Sequence, residues 1–80
     1  DGKVIHPWSK LIFHEELDDK IHFALNQLPV EFRQTVILAD IEGKSYEEIS
    51  EALDCNIGTV RSRLHRGRKL MRKHLEGFSL

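Results

Sequence analysis

Apolar residues recur at helical spacing from residue 15 onward, and they predict a first helix. They fall at i, i+4, i+7, i+8 and i+11, which is one face of an α-helix. They are Leu17, Ile21, Ala24, Leu25 and Leu28. Acidic residues fill the first turns after Glu15, where the helix dipole favours negative charge. Pro29 closes this helix and suits the first turn of the next one.

A second helix is predicted from about Val30 to Ile41, with Gly43 as its end. Residues 36–39 in its middle are Val, Ile, Leu and Ala. Because these side chains make the helix apolar on nearly all sides, we expect neighbouring elements to enclose this stretch.

The third helix has a recognisable start. Ser45 is followed three residues later by Glu48, which is the pattern of a capping box. The helix therefore begins at Tyr46 and ends near Leu53. Its expected inner face consists of Ile49, Ala52 and Leu53.

A tight turn is predicted at residues 54–56, Asp-Cys-Asn, and it leads into a fourth helix. Asn56 can cap this helix, which continues to about Glu76 with Gly77 as its stop. Two helices joined by so short a turn, the second of them basic, match a helix-turn-helix motif. The predicted fold is thus all-α: a small four-helix domain over residues 14–80 with a C-terminal helix-turn-helix, preceded by an extended linker over residues 1–13.

At about 100° per residue, the fourth helix has an apolar side and a basic side. The apolar side contains Ile57, Val60, Leu64, Gly67, Met71 and Leu75. The opposite side contains Gly58, Ser62, His65, Arg66, Lys69 and Lys73. Arg61 and Thr59 flank that outer side. Arg63 and Arg68 fall nearer the apolar side, so we expect their stems to lie along protein surface.

The charge of the chain is unevenly distributed. Residues 1–54 carry 5 basic and 12 acidic side chains, whereas residues 55–80 carry 7 basic and 1 acidic, so the two parts have net charges of −7 and +6. A charge run is often only a solvated helix face. Exposed helices usually mix signs and gain i,i+4 pairs, however, and this one has no interleaved carboxylate. A polyanionic partner explains that pattern, and DNA is the favoured one.

Each residue type on the outer side suits a contact with DNA in the major groove. Arg can pair with guanine O6 and N7, and Ser and His can bond to base edges or phosphates. Lys69 and Lys73 supply phosphate attraction without base recognition. Gly58 and Thr59 lie in the first turn, whose free N–H groups can hold a phosphate.

Other function classes have little support. The single cysteine, Cys55, excludes an internal disulfide, and we expect it to be a small buried residue of the turn. The five histidines lack zinc-module spacing, so no metal or cofactor is expected. No catalytic constellation emerges, so we expect no enzyme. No apolar run approaches the roughly 18 residues of a membrane span, and a cytoplasmic location is expected.

The stretch LPVEFRQTVILADIEGKSYEEISEALDCNIGTVRSRLHRGRKLM resembles region 4 of sigma-70-family sigma factors, and the extracytoplasmic-function group is the most similar. The resemblance covers about Leu17 to Leu75. Its most specific parts are Leu28-Pro29, Gly43 before Ser45-Tyr46-Glu47-Glu48-Ile49, and Gly58-Thr59-Val60-Arg61-Ser62-Arg63-Leu64. Three local departures are Gly67 for the usual Ala, Asn56 for a common Pro and Asp54 for a common Gly.

The resemblance implies recognition of the bacterial promoter −35 element, with a GGAA-type core, by the fourth helix. It implies base contacts by Arg61, Ser62, His65 and Arg66. It implies sugar–phosphate contacts by Tyr46, Thr59 and Arg63. It further implies docking on the β flap of RNA polymerase and an anti-sigma factor as a partner. Nothing in the chain resembles sigma region 2, so residues 1–13 would be the linker from it. Trp8 and Phe13 could stack on nucleic acid, but in a linker packing on a protein partner is favoured.

Two alternatives remain open at this level. One is the output domain of a LuxR-type regulator, which has a similar helical arrangement and would follow a sensory or receiver domain. The other is a protein-interaction module whose basic helix binds an acidic protein such as an anti-sigma factor. That module would show no sequence preference among DNA duplexes.

Overall fold

The computed structural model describes residues 15–76, with side chains from residue 19 onward, and this part of the chain is helical with short connections. The predicted linker at residues 1–13 and the predicted stop at Gly77 lie outside the described residues. The elements are α1 (Glu15–Asn26), α2 (Val30–Val36), a π-helical segment (Ile37–Ile41), α3 (Tyr46–Leu53) and α4 (Ile57–Leu75). The all-α fold class is confirmed. In the described part, none of the helices combines the length and apolar character that a membrane span needs.

The helix starts predicted from side-chain chemistry are confirmed at α3 and α4. The Glu48 N–H donates to Ser45 Oγ at 3.1 Å, and the Ser45 N–H donates to Glu48 Oε1 at 2.8 Å, which completes the capping box. At α4, the Thr59 N–H donates to Asn56 Oδ1 at 2.8 Å. Each bond satisfies a backbone donor that would otherwise lack a partner in the first turn.

The second predicted helix differs from expectation in its C-terminal half. It is α-helical only over Val30–Val36 and continues as the π-helical segment, where the Glu42 N–H donates to the Ile37 carbonyl at 2.9 Å. A segment only five residues long cannot distinguish the two hydrogen-bond patterns, so periodicity did not reveal the change. Gly43 ends the segment at φ +70°, a backbone conformation that glycine adopts readily.

The core lies where α1, α2 and α4 meet, and α3 adds Ile49. The buried apolar residues of the described part are Ile21, Ala24, Leu25, Leu28, Val36, Ile49, Val60, Leu64, Met71 and Leu75. The predicted stripes of α1 and α4 are therefore confirmed from residue 21 onward, except that Ile57 is only half-buried.

Three burial predictions need correction. Ala52 is exposed, because α3 is short and buries only the line of its surface that passes through Ile49. Cys55 is half-buried, since it lies in the turn beside the core. Residues 37–39 are half-buried although Val36 is fully buried, because the π-helical segment lies at the edge of the helix assembly.

Helix α4 is the central element, because it packs against α1, α2 and α3. It approaches α2 closely at Gly67. A Cβ atom on Gly67 would lie 2.6 Å from Val36 Cγ2 and 3.3 Å from the Phe32 carbonyl oxygen. The absence of a side chain at this position therefore lets α4 lie closer to α2 than an alanine would allow.

Candidate nucleic-acid interface

The connection between α3 and α4 is a tight turn, as the sequence predicts. Asp54 adopts the left-handed conformation at φ 52°, which Asp tolerates better than most residues. The Cys55 N–H donates to the Ser50 carbonyl at 3.0 Å, and Asn56 then caps α4. This geometry joins the two helices of the motif through three residues and presents one side of α4 outward.

The structure brings the four predicted base-contacting residues together on the exposed side of α4. Arg61, Ser62, His65 and Arg66 are all exposed. Their positions, two adjacent pairs four residues apart, place them on neighbouring turns of one helix face. Long and short polar side chains thus stand side by side on a surface that no other described helix covers.

The predicted phosphate-contacting residues frame that surface. Gly58, Lys69 and Lys73 are exposed, whereas Tyr46, Thr59 and Arg63 are half-buried. The half-buried state of Arg63 agrees with its angular position near the apolar side of α4. Tyr46 belongs to α3, so the frame includes both helices of the motif.

The Arg68 side chain lies against the body of the domain, as its angular position predicts, and hydrogen bonds to Asp40 hold it there. Arg68 Nη2 donates to Asp40 Oδ1 at 2.7 Å, and Nε donates to Oδ2 at 3.1 Å. Burial lowers the pKa of Arg68, but the hydrogen bonds and charge of Asp40, with lesser help from Tyr46, raise the pKa above its ordinary value overall. The guanidinium is therefore charged, and in this structure it is paired with Asp40.

A cleft of about 370 Å³ runs along one flank of α4 beside Tyr46. The residues lining it are Tyr46, Arg61, Leu64, His65, Arg68 and Arg72. The sequence prediction gave no role to Arg72, which is exposed in this cleft. The sequence does contain a pattern that could have indicated this role. One stripe of the helix is formed by Arg61, His65, Arg68 and Arg72.

The exposed side of α4 is electropositive without internal neutralisation. Within residues 19–76, the structure gives a carboxylate partner to Arg68 and to none of the other six Lys and Arg residues of α4. Unpaired cations on one face attract a polyanion and repel one another in its absence. Among these same residues, no group of three His, Cys, Asp or Glu side chains is arranged to hold a metal ion.

These features define a class of protein: a small helix-turn-helix domain whose second motif helix presents a basic, uncovered face. Comparison with known families identifies which one. Residues 18–71 match the family described as Sigma-70, region 4, and the chain belongs to that family of transcription-initiation factors. This match decides against a LuxR-type output domain.

Curated relatives agree with the family match. The chain is 50% identical over 74 residues to the ECF RNA polymerase sigma factor SigE of Mycolicibacterium smegmatis, covering 91% of this chain and 29% of that protein. It is 41% identical over 67 residues to the ECF RNA polymerase sigma-E factor of Escherichia coli, covering 84% and 35%. It is 35% identical over 74 residues to the RNA polymerase sigma-H factor of Pseudomonas aeruginosa, covering 92% and 38%. The chain thus spans about a third of the length of these relatives.

Proposed function

We propose that this chain is the −35 recognition domain of an extracytoplasmic-function sigma factor, which directs RNA polymerase to promoters. The observation that carries the proposal is the exposed, unneutralised basic face of α4 in a domain of the sigma-70 region 4 family. A helix of this kind fits the major groove, where base edges differ from one another.

In this proposal, Arg61, Ser62, His65 and Arg66 contact bases. All four are exposed on adjacent turns, so one groove can hold them together. Arg66 is the best candidate for a bidentate contact with guanine, because its fork geometry matches O6 and N7 and no carboxylate competes for it within the described residues.

The sugar–phosphate contacts in this proposal come from both helices of the motif. They are Tyr46, Gly58, Thr59, Arg63, Lys69 and Lys73. We add Arg72, because it lines the cleft with Tyr46 and Arg61 and could receive a phosphate there. Such contacts fix the register of α4 on the duplex without reading its sequence.

The protein partners belong to the proposal as well. The relatives are named RNA polymerase sigma factors, which supports an interaction of this domain with RNA polymerase. Docking on the polymerase β flap and control by an anti-sigma factor are the finer parts of the proposal, and they follow from the family resemblance. The net charge of −7 over residues 1–54 also suits contacts with proteins more than contacts with DNA.

The test is fluorescence anisotropy of this chain with a GGAAC-containing duplex and with a scrambled duplex, at low salt. We expect tighter binding to the GGAAC duplex. Arg66→Ala should abolish most of that preference, since a good bidentate contact contributes about 1–3 kcal/mol of discrimination. Lys44→Ala is the matched control, because Lys44 is an exposed cation outside α4.

Equal binding of the wild-type chain to both duplexes would contradict the proposal. It would favour a basic helix that binds an acidic protein instead. A preference that survives Arg66→Ala unchanged would remove Arg66 from the base contacts while leaving the domain function intact.

A further inference from the structure

The ion pair between Asp40 and Arg68 is well enclosed, although Arg68 belongs to a helix with an exposed basic face. The Asp40 side chain is 1% exposed and the Arg68 side chain 18%, and two hydrogen bonds join them. A buried carboxylate and guanidinium lose much hydration, so such a pair requires good geometry and adds little net stability. The two parallel hydrogen bonds do fix the orientation of the Arg68 guanidinium relative to the Asp40 carboxylate.

The backbone that carries Asp40 is itself irregular. Asp40 lies in the π-helical segment, and the Glu42 N–H bonds to the carbonyl five residues earlier. A π turn contains more residues than an α turn, so it changes the direction of the side chains that follow it. Single π turns within α-helices are rare and frequently accompany functional sites. Here the changed direction coincides with the contact between Asp40 and α4.

Gly67, the neighbour of Arg68, sets the separation of the same two elements. Its missing Cβ would lie 2.6 Å from Val36 Cγ2 on α2. Gly67 therefore limits how closely α4 approaches α2, and the Asp40–Arg68 pair adds to the buried apolar stripe of α4 a directional contact that restrains rotation of the helix about its own axis. Two consecutive residues of α4 thus restrain its distance from α2 and its rotation against the π-helical segment that continues α2.

The rotation of α4 decides where its exposed side chains point. Arg66 and His65 directly precede Gly67, and each residue advances by about 100° around the helix. From this geometry we infer that Asp40 and Arg68 are positioning residues for base recognition by α4, and that Arg68 is not itself a phosphate contact. This inference rests on the proposed function.

A purely electrostatic role and a positioning role of Asp40 predict different effects of the substitution Asp40→Asn on DNA binding. Asp40→Asn removes a negative charge near the interface, so a purely electrostatic account expects tighter binding to every duplex. Positioning expects a weaker sequence preference, because Arg68 is released and one directional restraint on the rotation of α4 is lost. Lower stability alone reduces the folded fraction and weakens binding to both duplexes by the same factor, so the ratio of the two affinities separates these effects.

The experiment measures the affinities for the GGAAC and scrambled duplexes by anisotropy, with folding checked by circular dichroism at the same temperature. The variants are Asp40→Asn and Arg68→Lys, and Asp54→Asn is the control, since it makes the same chemical change at an exposed position. We expect the affinity ratio to fall by about tenfold in Asp40→Asn, as after partial loss of one bidentate base contact. Arg68→Lys keeps the charge but loses the fork, so its ratio should also fall.

The outcomes are distinct. An affinity ratio in Asp40→Asn and Arg68→Lys equal to that of Asp54→Asn overturns the inference and leaves the proposed function standing. A wild-type chain without any preference overturns both together. If Asp40→Asn does not fold, Arg68→Lys decides alone, because a lysine at a position 18% exposed can turn toward water.

Discussion

Gly67 shows how a single residue can have opposite effects on a helix and on its packing. In the middle of α4, glycine weakens the helix by about 1 kcal/mol relative to alanine. The structure supplies the compensating reason, since a Cβ there would overlap Val36 and crowd the Phe32 carbonyl. Val36 is fully buried, and interiors are close-packed, so moving its methyl group aside would disturb neighbouring core side chains.

We therefore expect Gly67→Ala to destabilise the domain despite its better helix propensity. Overpacking of a filled core costs about 1–3 kcal/mol and the propensity gain is about 1 kcal/mol, so the expected net loss lies between about 0 and about 2 kcal/mol, with a midpoint of about 1 kcal/mol. Urea unfolding followed by circular dichroism measures the free energy of unfolding.

The matched control introduces Gly67→Ala into a Val36→Ala background, where the new methyl group has room. There the same change should be neutral or stabilising. A Gly67→Ala protein more stable than the wild type would show that α2 and α4 move apart easily, and would remove the close approach from the explanation.

At the scale of elements, polar side chains cap the N-terminal ends of α3 and α4. Asn56 is the informative case, because it caps α4 beside the predicted phosphate contacts. Asn56→Ala should lower the free energy of unfolding by about 1 kcal/mol, through loss of the bond to the Thr59 N–H. Thermal or urea denaturation provides the measurement.

Asn56→Asp separates capping from DNA binding. The carboxylate can still cap and also interacts well with the helix dipole, so stability should be retained or increased. DNA affinity should fall, since the new negative charge stands next to Gly58 and Thr59, where a phosphate is expected. Unchanged DNA affinity in Asn56→Asp would indicate that no phosphate approaches the first turn of α4.

Much of the fold could be predicted because local chemistry determines it. The capping box at Ser45, the cap at Asn56 and the apolar stripe of α4 are each encoded within a few residues. The π-helical segment and the exposure of Ala52 could not be predicted, because they depend on how helices meet. The ion pair of Asp40 with Arg68 joins residues 28 positions apart, and no local pattern reports such a contact.

The candidate site likewise has parts that local sequence predicts and parts that depend on how the helices pack. Exposure of Arg61, Ser62, His65 and Arg66 follows from helical angle alone. The cleft that includes Arg72 needed the placement of α3 against α4, because Tyr46 forms its other side. The role of each residue toward DNA stays a prediction.

For the molecule as a whole, the separation of charge predicts how salt affects binding. Each phosphate contact releases condensed counterions, so removing one such contact lowers the slope of log affinity against log salt by about 1. Lys69→Gln and Lys73→Gln should each do so, with the preference for GGAAC unchanged. Lys44→Gln, at an exposed site outside α4, should leave the slope unaltered.

Anisotropy titrations at several salt concentrations give these slopes. If Lys69→Gln and Lys73→Gln behave like Lys44→Gln, the C-terminal half of α4 does not contact the backbone. The footprint would then be confined to the first three turns of the helix.

The central position of α4 also has a consequence for synthesis of the chain on the ribosome. Four of the ten buried apolar residues of the described part belong to α4, namely Val60, Leu64, Met71 and Leu75. Helices α1 to α3 leave the ribosome first, and α4, which each of them packs against, follows. We therefore expect the nascent domain to stay unfolded until α4 has emerged, so that folding and the proposed DNA binding both depend on synthesis of the same helix.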